Sequence, residues 1–232
     1  KRAKVFTKLG REIQVAAKLS GGNPDFNPRL RAAIQAARAE NMPNDQIKKS
    51  IDAGLGLGDT ADYVEIRYEG YAPHGVAVIV EALTDNKNRT ASEVRAAFTK
   101  FGGNLGETGS VGFMFDHIGQ IIYPLSKATP DAMFEAALDA GADNVDSTDD
   151  GHEIITTPEG FIAVRDALEA KFGEAERAAI VWKPNVMATV DADVATTILK
   201  MVDQLEDSDD VQTVTTNFEV SEEDMAKLAA AG

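Results

Sequence analysis

The chain of 232 residues contains 44% hydrophobic and 26% charged residues, has a formal net charge of −15 and lacks cysteine. That composition is ordinary for a globular protein with room for more than one core, and it excludes disulfides and thiolate metal sites together. No apolar run approaches the roughly 20 residues a bilayer-spanning helix needs, so a membrane span is excluded and a reducing, cytoplasmic setting is expected.

The first residues, Lys1-Arg2-Ala3-Lys4, read as the interior of a longer sequence. From Val5 to Leu19 the periodicity predicts a helix, with Val5, Leu9, Ile13 and Ala16 on one face. Lys4, Lys8, Arg11 and Lys18 fall on the opposite side, where Val15 is the one apolar exception. Ser20-Gly21-Gly22-Asn23-Pro24 ends that helix, and Asn27-Pro28 supplies a cap and first turn for a second one running to about Glu40. It carries Arg29, Arg31 and Arg38 around an apolar edge of Leu30, Ala33, Ile34 and Ala37. A third helix, Asp45–Ala53, turns Ile47 and Ile51 inward and carries Lys48 and Lys49. Gly54-Leu55-Gly56-Leu57-Gly58 follows a helix and opens none, so it reads as a C-cap and linker, not a phosphate loop.

Beyond the linker the pattern turns to strands at Tyr63–Tyr68 and Gly75–Glu81, followed by a helix at about Thr90–Phe101 and a strand near Val111–Phe115. The partner of this β-α-β unit lies far along the chain: a strand at Val186–Val190, a helix at Val194–Leu205 and a strand at Val211–Phe218. Between them sits a complete set. It comprises a strand at Gln120–Tyr123, a helix at Pro130–Ala140, strands near Asn144–Ser147 and Glu153–Thr156, a helix at Pro158–Phe172 and a strand at Arg177–Trp182. That is the ferredoxin-like order. Residues 221–230 read as a last short helix. The expectation is therefore an α+β multidomain chain. A helical domain over 1–58 precedes two ferredoxin-like α/β domains, a discontinuous one over 59–117 plus 185–232 and a second, 118–184, inserted into it. A single larger mixed sheet is the alternative arrangement.

Charge divides along the same line. Residues 1–52 hold eleven Lys/Arg against five Asp/Glu, a net of +6, and the remainder carries −21. A cationic segment on a self-repelling anionic body is the pattern of a polyanion-binding module. A second basic stretch, Thr84-Asp85-Asn86-Lys87-Asn88-Arg89-Thr90 with Arg95 and Lys100, suits phosphate binding at a helix N-terminus. Helix capping by Asn88 or Thr90 explains it equally well. Gly102-Gly103-Asn104-Leu105-Gly106-Glu107-Thr108-Gly109-Ser110 has the N–H density to hold an anion, but reads better as a turn-rich connection.

Catalytic signals are weak. His74, His117 and His152 are scattered, and no nucleophile arrangement is present. Asp149-Asp150-Gly151-His152 reads as a hairpin turn, and Asp207, Asp209 and Asp210 as a solvated acidic loop. No enzyme activity, metal or cofactor is expected.

Several stretches in combination resemble the YebC family: Phe6-Thr7-Lys8-Leu9-Gly10-Arg11-Glu12-Ile13, Asn27-Pro28-Arg29-Leu30-Arg31 and Asn41-Met42-Pro43 in the basic segment. Further on come Tyr68-Glu69-Gly70-Tyr71-Ala72-Pro73, Thr84–Thr90, Gly102–Gly106, and Asp209-Asp210-Val211-Gln212 with Asn217-Phe218. The family's basic, His- and Lys-containing opening would precede Lys1, so +6 understates the expected charge. Thr215 and Thr216 stand where many relatives carry an aromatic residue. The resemblance implies a helical first domain, two α/β domains and no catalysis. It also implies a DNA-binding transcriptional regulator or, alternatively, a ribosome-associated translation factor that binds ribosomal RNA and eases stalls at proline-rich stretches. Mitochondrial members are translational activators of cytochrome c oxidase. The charge distribution, rather than the resemblance, gives the expected nucleic-acid ligands: Lys4, Lys8, Arg11, Lys18, Arg29, Arg31, Arg38, Lys48 and Lys49, with Asn86, Lys87, Asn88, Arg89, Arg95 and Lys100 as a second contact. An acidic body that docks a basic protein is the competing hypothesis. The oligomeric state stays open.

Overall fold

The computed structural model describes residues 2–58 and 61–231. Asp59 and Thr60, where the second domain is expected to open, lie outside the described residues, as does Lys1. The chain forms two compact units, residues 1–114 with 184–232 and residues 115–183.

In the first unit, helices α1 (Arg2–Ser20), α2 (Pro28–Ala39) and α3 (Asn44–Gly54) enclose a core of Ile13, Ala16, Ala17, Leu30, Ala33, Ile34, Ala37, Met42 and Ile47. Asn27 caps α2 by accepting the Leu30 N–H, and Pro28 fills the first helical position, where no N–H is needed. The end of α3 is a Schellman turn: Leu57 N–H reaches the Asp52 carbonyl, Gly56 N–H reaches that of Ala53, and Gly56 is left-handed at φ 80°. Gly54 has a different task from the capping expected of it. A β-carbon there would stand 2.3 Å from the Gln14 carbonyl oxygen and 2.8 Å from Ala17 Cβ, so its absence lets α3 close on α1.

The sheet of this unit runs β3 (Asn104–Leu105), β1 (Val64–Ala72), β2 (Val76–Thr84), β9 (Val211–Thr216). Helices α4 (Lys87–Lys100) and α7 (Ala192–Glu206) pack on it through Val94, Ala97, Phe98, Ala195, Ile198, Met201 and Leu205. Two expected strands are not in this sheet. Val111–Phe115 is mostly loop and a short 3-10 turn at Gly112–Met114, and β3 fills its place. Val186–Val190 shortens to β8 (Ala188–Thr189), which pairs in parallel with β10 (Phe218–Glu219) in a separate ribbon. The place expected for it goes to β1, because a three-residue turn at Pro73–Gly75 lets β1 and β2 pair over nine residues each. Such local closure costs less entropy than a return from residue 186.

The second unit has the order β5 (Asn144–Thr148), β6 (Gly151–Thr156), β4 (Phe115–Tyr123), β7 (Arg177–Pro184), with α5 (Pro130–Ala140) and α6 (Phe161–Phe172) supplying its core. This is the ferredoxin-like sheet order. The two four-stranded sheets are distinct, which removes the single-sheet alternative. The last helix, α8, spans Glu222–Ala231.

Candidate nucleic-acid interface

The basic side of α1 is turned toward the acidic part of its own unit. Lys4 Nζ donates to the Asp207 carbonyl oxygen at 2.6 Å and Lys8 Nζ to that of Glu206, so two lysines cap the C-terminal end of α7. Free carbonyls and the negative end of the helix dipole make that end favourable for cations. Burial lowers the Lys8 pKa, against the pull of Glu206 and Asp209. Lys18 pairs with Asp62. Arg11 goes deepest, donating to the Leu83 carbonyl at 2.9 Å and to Asp210 Oδ1 at 2.8 Å, with its guanidinium 4.7 Å from the centre of the Tyr63 ring. The spatial separation of a cationic head from an anionic body is therefore not what the structure contains. Val15, the apolar residue inside the basic arc, is only 7% exposed.

Asp210 is the hub of this contact. Its side chain is 3% exposed and accepts from Arg11, from Arg89 Nε at 3.0 Å and Nη2 at 2.8 Å, and from Thr90 Oγ1 at 2.8 Å. Burial alone would raise the carboxyl; the hydrogen bonds from Arg89, Arg11 and Thr90 win and hold it at about 2. Arg89 also donates to Asp85 at 2.7 Å, and its two carboxylate partners raise its pKa. The cap of α4 is Asn86, which accepts the Arg89 N–H at 3.0 Å; neither Asn88 nor Thr90 caps it. Thr90 is buried and Asn88 exposed within the helix. Asp210 is thus an internal counter-ion, not part of a solvated loop.

The glycine-rich connection does hold an anion, and the anion is Glu69 of the same chain. Fully buried, Glu69 accepts the Gly109 N–H at 2.6 Å, the Val111 N–H at 3.2 Å and Arg67 Nε at 3.1 Å. Burial would raise its pKa, but the two backbone donors and Arg67 lower it. His152 is likewise internal: Ser147 Oγ lies 2.6 Å from Nδ1, and the Ala128 carbonyl 2.9 Å from Nε2. Asp149 and Asp150 form the turn between β5 and β6. Among the described residues no group of three or more His, Asp or Glu is placed to hold a metal, and no helix is long and apolar enough to cross a membrane.

The remaining expected ligands divide in two. Arg29 is held by Glu12 at 2.8 Å and Glu65 at 2.6 Å, and Arg31 is half-buried. Arg38, Lys48, Lys49, Lys87 and Arg95 are exposed and have no ion pair or side-chain hydrogen bond among the described residues. Lys100 is exposed over the Phe101 ring. Arg38 and Lys48 line one groove between α2 and α3, with Pro24, Ile34, Asn44, Asp45, Ile47 and Ile51. Phe26, 82% exposed in the turn that leads into α2, was not legible as a surface feature. The one signal for it is an aromatic residue between two Asn/Pro turn pairs, Asn23-Pro24 and Asn27-Pro28.

Residues 1–57 match the TACO1/YebC protein N-terminal domain, and residues 63–218 match the TACO1/YebC second and third domain. A crystal structure of a conserved hypothetical protein from Aquifex aeolicus is similar over 95% of this chain and 91% of that one, at 45% identity and a TM-score of 0.83. Sequence and architecture agree along nearly the whole length, and the chain belongs to the TACO1/YebC family.

Proposed function

We propose that the chain is a non-catalytic, nucleic-acid-binding regulator of gene expression whose target is folded RNA of the translation machinery. One observation carries this reading. The most basic helix, α1, commits Lys4, Lys8, Arg11 and Lys18 to its own unit, so the expected ligands that stay unpaired among the described residues are dispersed over α2, α3 and α4. Major-groove readout by a helix uses one helix with a continuous set of free base- and phosphate-contacting side chains. Dispersed phosphate contacts position a protein without reading sequence. Folded RNA supplies specificity through shape and unpaired loops, and needs no such helix. The −21 over the rest of the chain confines contact to the cationic positions.

The test is crosslinking in cells followed by sequencing of both the RNA and the DNA recovered. Enrichment at ribosomal RNA is the expected result, and discrete promoter peaks would replace this target with DNA. A variant with Arg38, Lys48, Lys49, Lys87 and Arg95 all changed to Gln should lose most of its recovery. Undiminished recovery of RNA by that variant would refute the interface.

A further inference from the structure

Phe26 stands on a rigid mount. Its 3-10 turn, Pro24–Phe26, is fixed in front by Asn23, whose side chain accepts the Asp25 N–H at 3.0 Å. Behind it, the buried Asn27 donates to the Ala16 and Gly21 carbonyls, both at 2.8 Å, while capping α2. Leaving a Phe ring in water forgoes the favourable free energy of burying it. A lone exposed apolar residue needs no explanation, but this one is not alone. Pro24, in the same turn, lines the groove whose apolar residues are Ile34, Ile47 and Ile51 and whose cations are Arg38 and Lys48. Gly22 lies against Ile51 and the half-exposed Leu55, extending the apolar surface on the other side. Asp45 is the single acid among the lining residues.

From this geometry we propose that the edge formed by the Pro24–Phe26 turn, α2 and α3 binds unpaired nucleotides of RNA, with a base stacked on Phe26 and neighbouring phosphates on Arg38 and Lys48. The proposal rests on the nucleic-acid reading above and names the part of the target that this edge takes. Phe26 follows two residues after Pro24, which lines the groove that carries Arg38 and Lys48, and an exposed aromatic on the rim of a cationic groove is an arrangement that stacks bases and follows a phosphate chain. A protein segment docking here would have to leave both cations without a partner or bring carboxylates to them. A duplex keeps its base faces inside its own stack and offers none to Phe26.

The full chain is titrated by fluorescence anisotropy with a labelled oligouridylate and with a labelled blunt-ended RNA duplex. Because base–aromatic stacking contributes about 1–3 kcal/mol per base, Phe26→Ala should weaken oligouridylate binding roughly 5- to 150-fold and leave the duplex unchanged. Phe26→Trp should restore binding, which a merely structural role would not require. Changing Arg38 and Lys48 to Gln should reduce the salt slope by about 0.7 for each. Unchanged thermal unfolding of Phe26→Ala shows that the exposed ring is not needed for folding. If wild type binds the oligonucleotide and Phe26→Ala binds equally well, or weakens single strand and duplex alike, this inference fails and the proposed function stands. Displacement by an acidic peptide, with no effect of Phe26→Ala on RNA, would give the groove to a protein instead. If wild type binds no RNA in a salt-sensitive way, the proposed function falls as well.

Discussion

Asp210→Asn removes the charge at the point where α1, β9 and α4 meet while keeping the side chain's size. The Asp210 carboxyl is held at about 2 against an ordinary 3.8, and a pH unit corresponds to about 1.4 kcal/mol, so this carboxylate contributes on the order of 2–3 kcal/mol at neutral pH. The group is almost fully buried, so solvent screening does not reduce that figure much. Its folded pKa lies below its unfolded one. The stabilisation is therefore complete above about pH 5, roughly half lost by pH 3 and gone below about pH 2. The variant should be less stable than wild type by about 2–4 kcal/mol at pH 7, since two guanidinium groups lose their shared carboxylate. The assay is urea unfolding of both proteins at steps from pH 7 to pH 3. The gap should shrink by about 1 kcal/mol over that range. A gap that stays constant would show that the depressed carboxylate does not hold α1 in place.

Glu69→Gln keeps the shape but places an amide N–H₂ among the Gly109, Val111 and Arg67 donors, and should cost about 2–4 kcal/mol in chemical denaturation. Gly54→Ala gains at most about 1 kcal/mol of helix propensity and must push the Gln14 carbonyl away from 2.3 Å. It should be destabilising by about 1–3 kcal/mol, read as a lower Tm. Asn217→Ala leaves the Ala77 N–H and the Val186 carbonyl without their partner inside the unit, and should cost about 2–3 kcal/mol. In salt titrations of RNA binding, about five free cations predict a slope near −3.5. A slope near −8 would mean that all the basic residues of 1–52 are engaged and that α1 has let go of its carboxylates.

The elements that sequence displays well are those with one strong local cause. Asn27-Pro28 opens α2 because cap chemistry and a missing N–H act within three residues, and Ile13, Leu30 and Ile47 are inward because helical spacing leaves them no other face. The β-α-β-β-α-β order of residues 115–183 was legible for the same reason, since each strand and helix carries its own period. The role of residues 186–190 was not. A short alternating apolar run specifies a strand but not its partner, and β1 reaches β2 through a shorter turn. Gly54 reads locally as a terminator, whereas its reason is the Gln14 carbonyl, forty residues earlier.

The candidate site follows the same division, with charge as the misleading signal. A basic stripe on an amphipathic helix reads as solvent-facing because charge is rarely buried, and that rule lapses where carboxylates and helix-end carbonyls wait on the facing surface. Arg11 lies 199 residues from Asp210, so no local window pairs them. Two residues did carry the information. Val15 interrupts the stripe with a side chain that has no use in water, and Asp210 sits two residues after Ser208, whose hydroxyl accepts its N–H and fixes its backbone. An apolar residue amid cations marks a face that is covered, and a carboxylate locked by its own turn marks what can cover it. By that criterion the exposed cations of α2 and α3 are the better candidates for an external polyanion, because Arg38, Lys48 and Lys49 make no ion pair among the described residues.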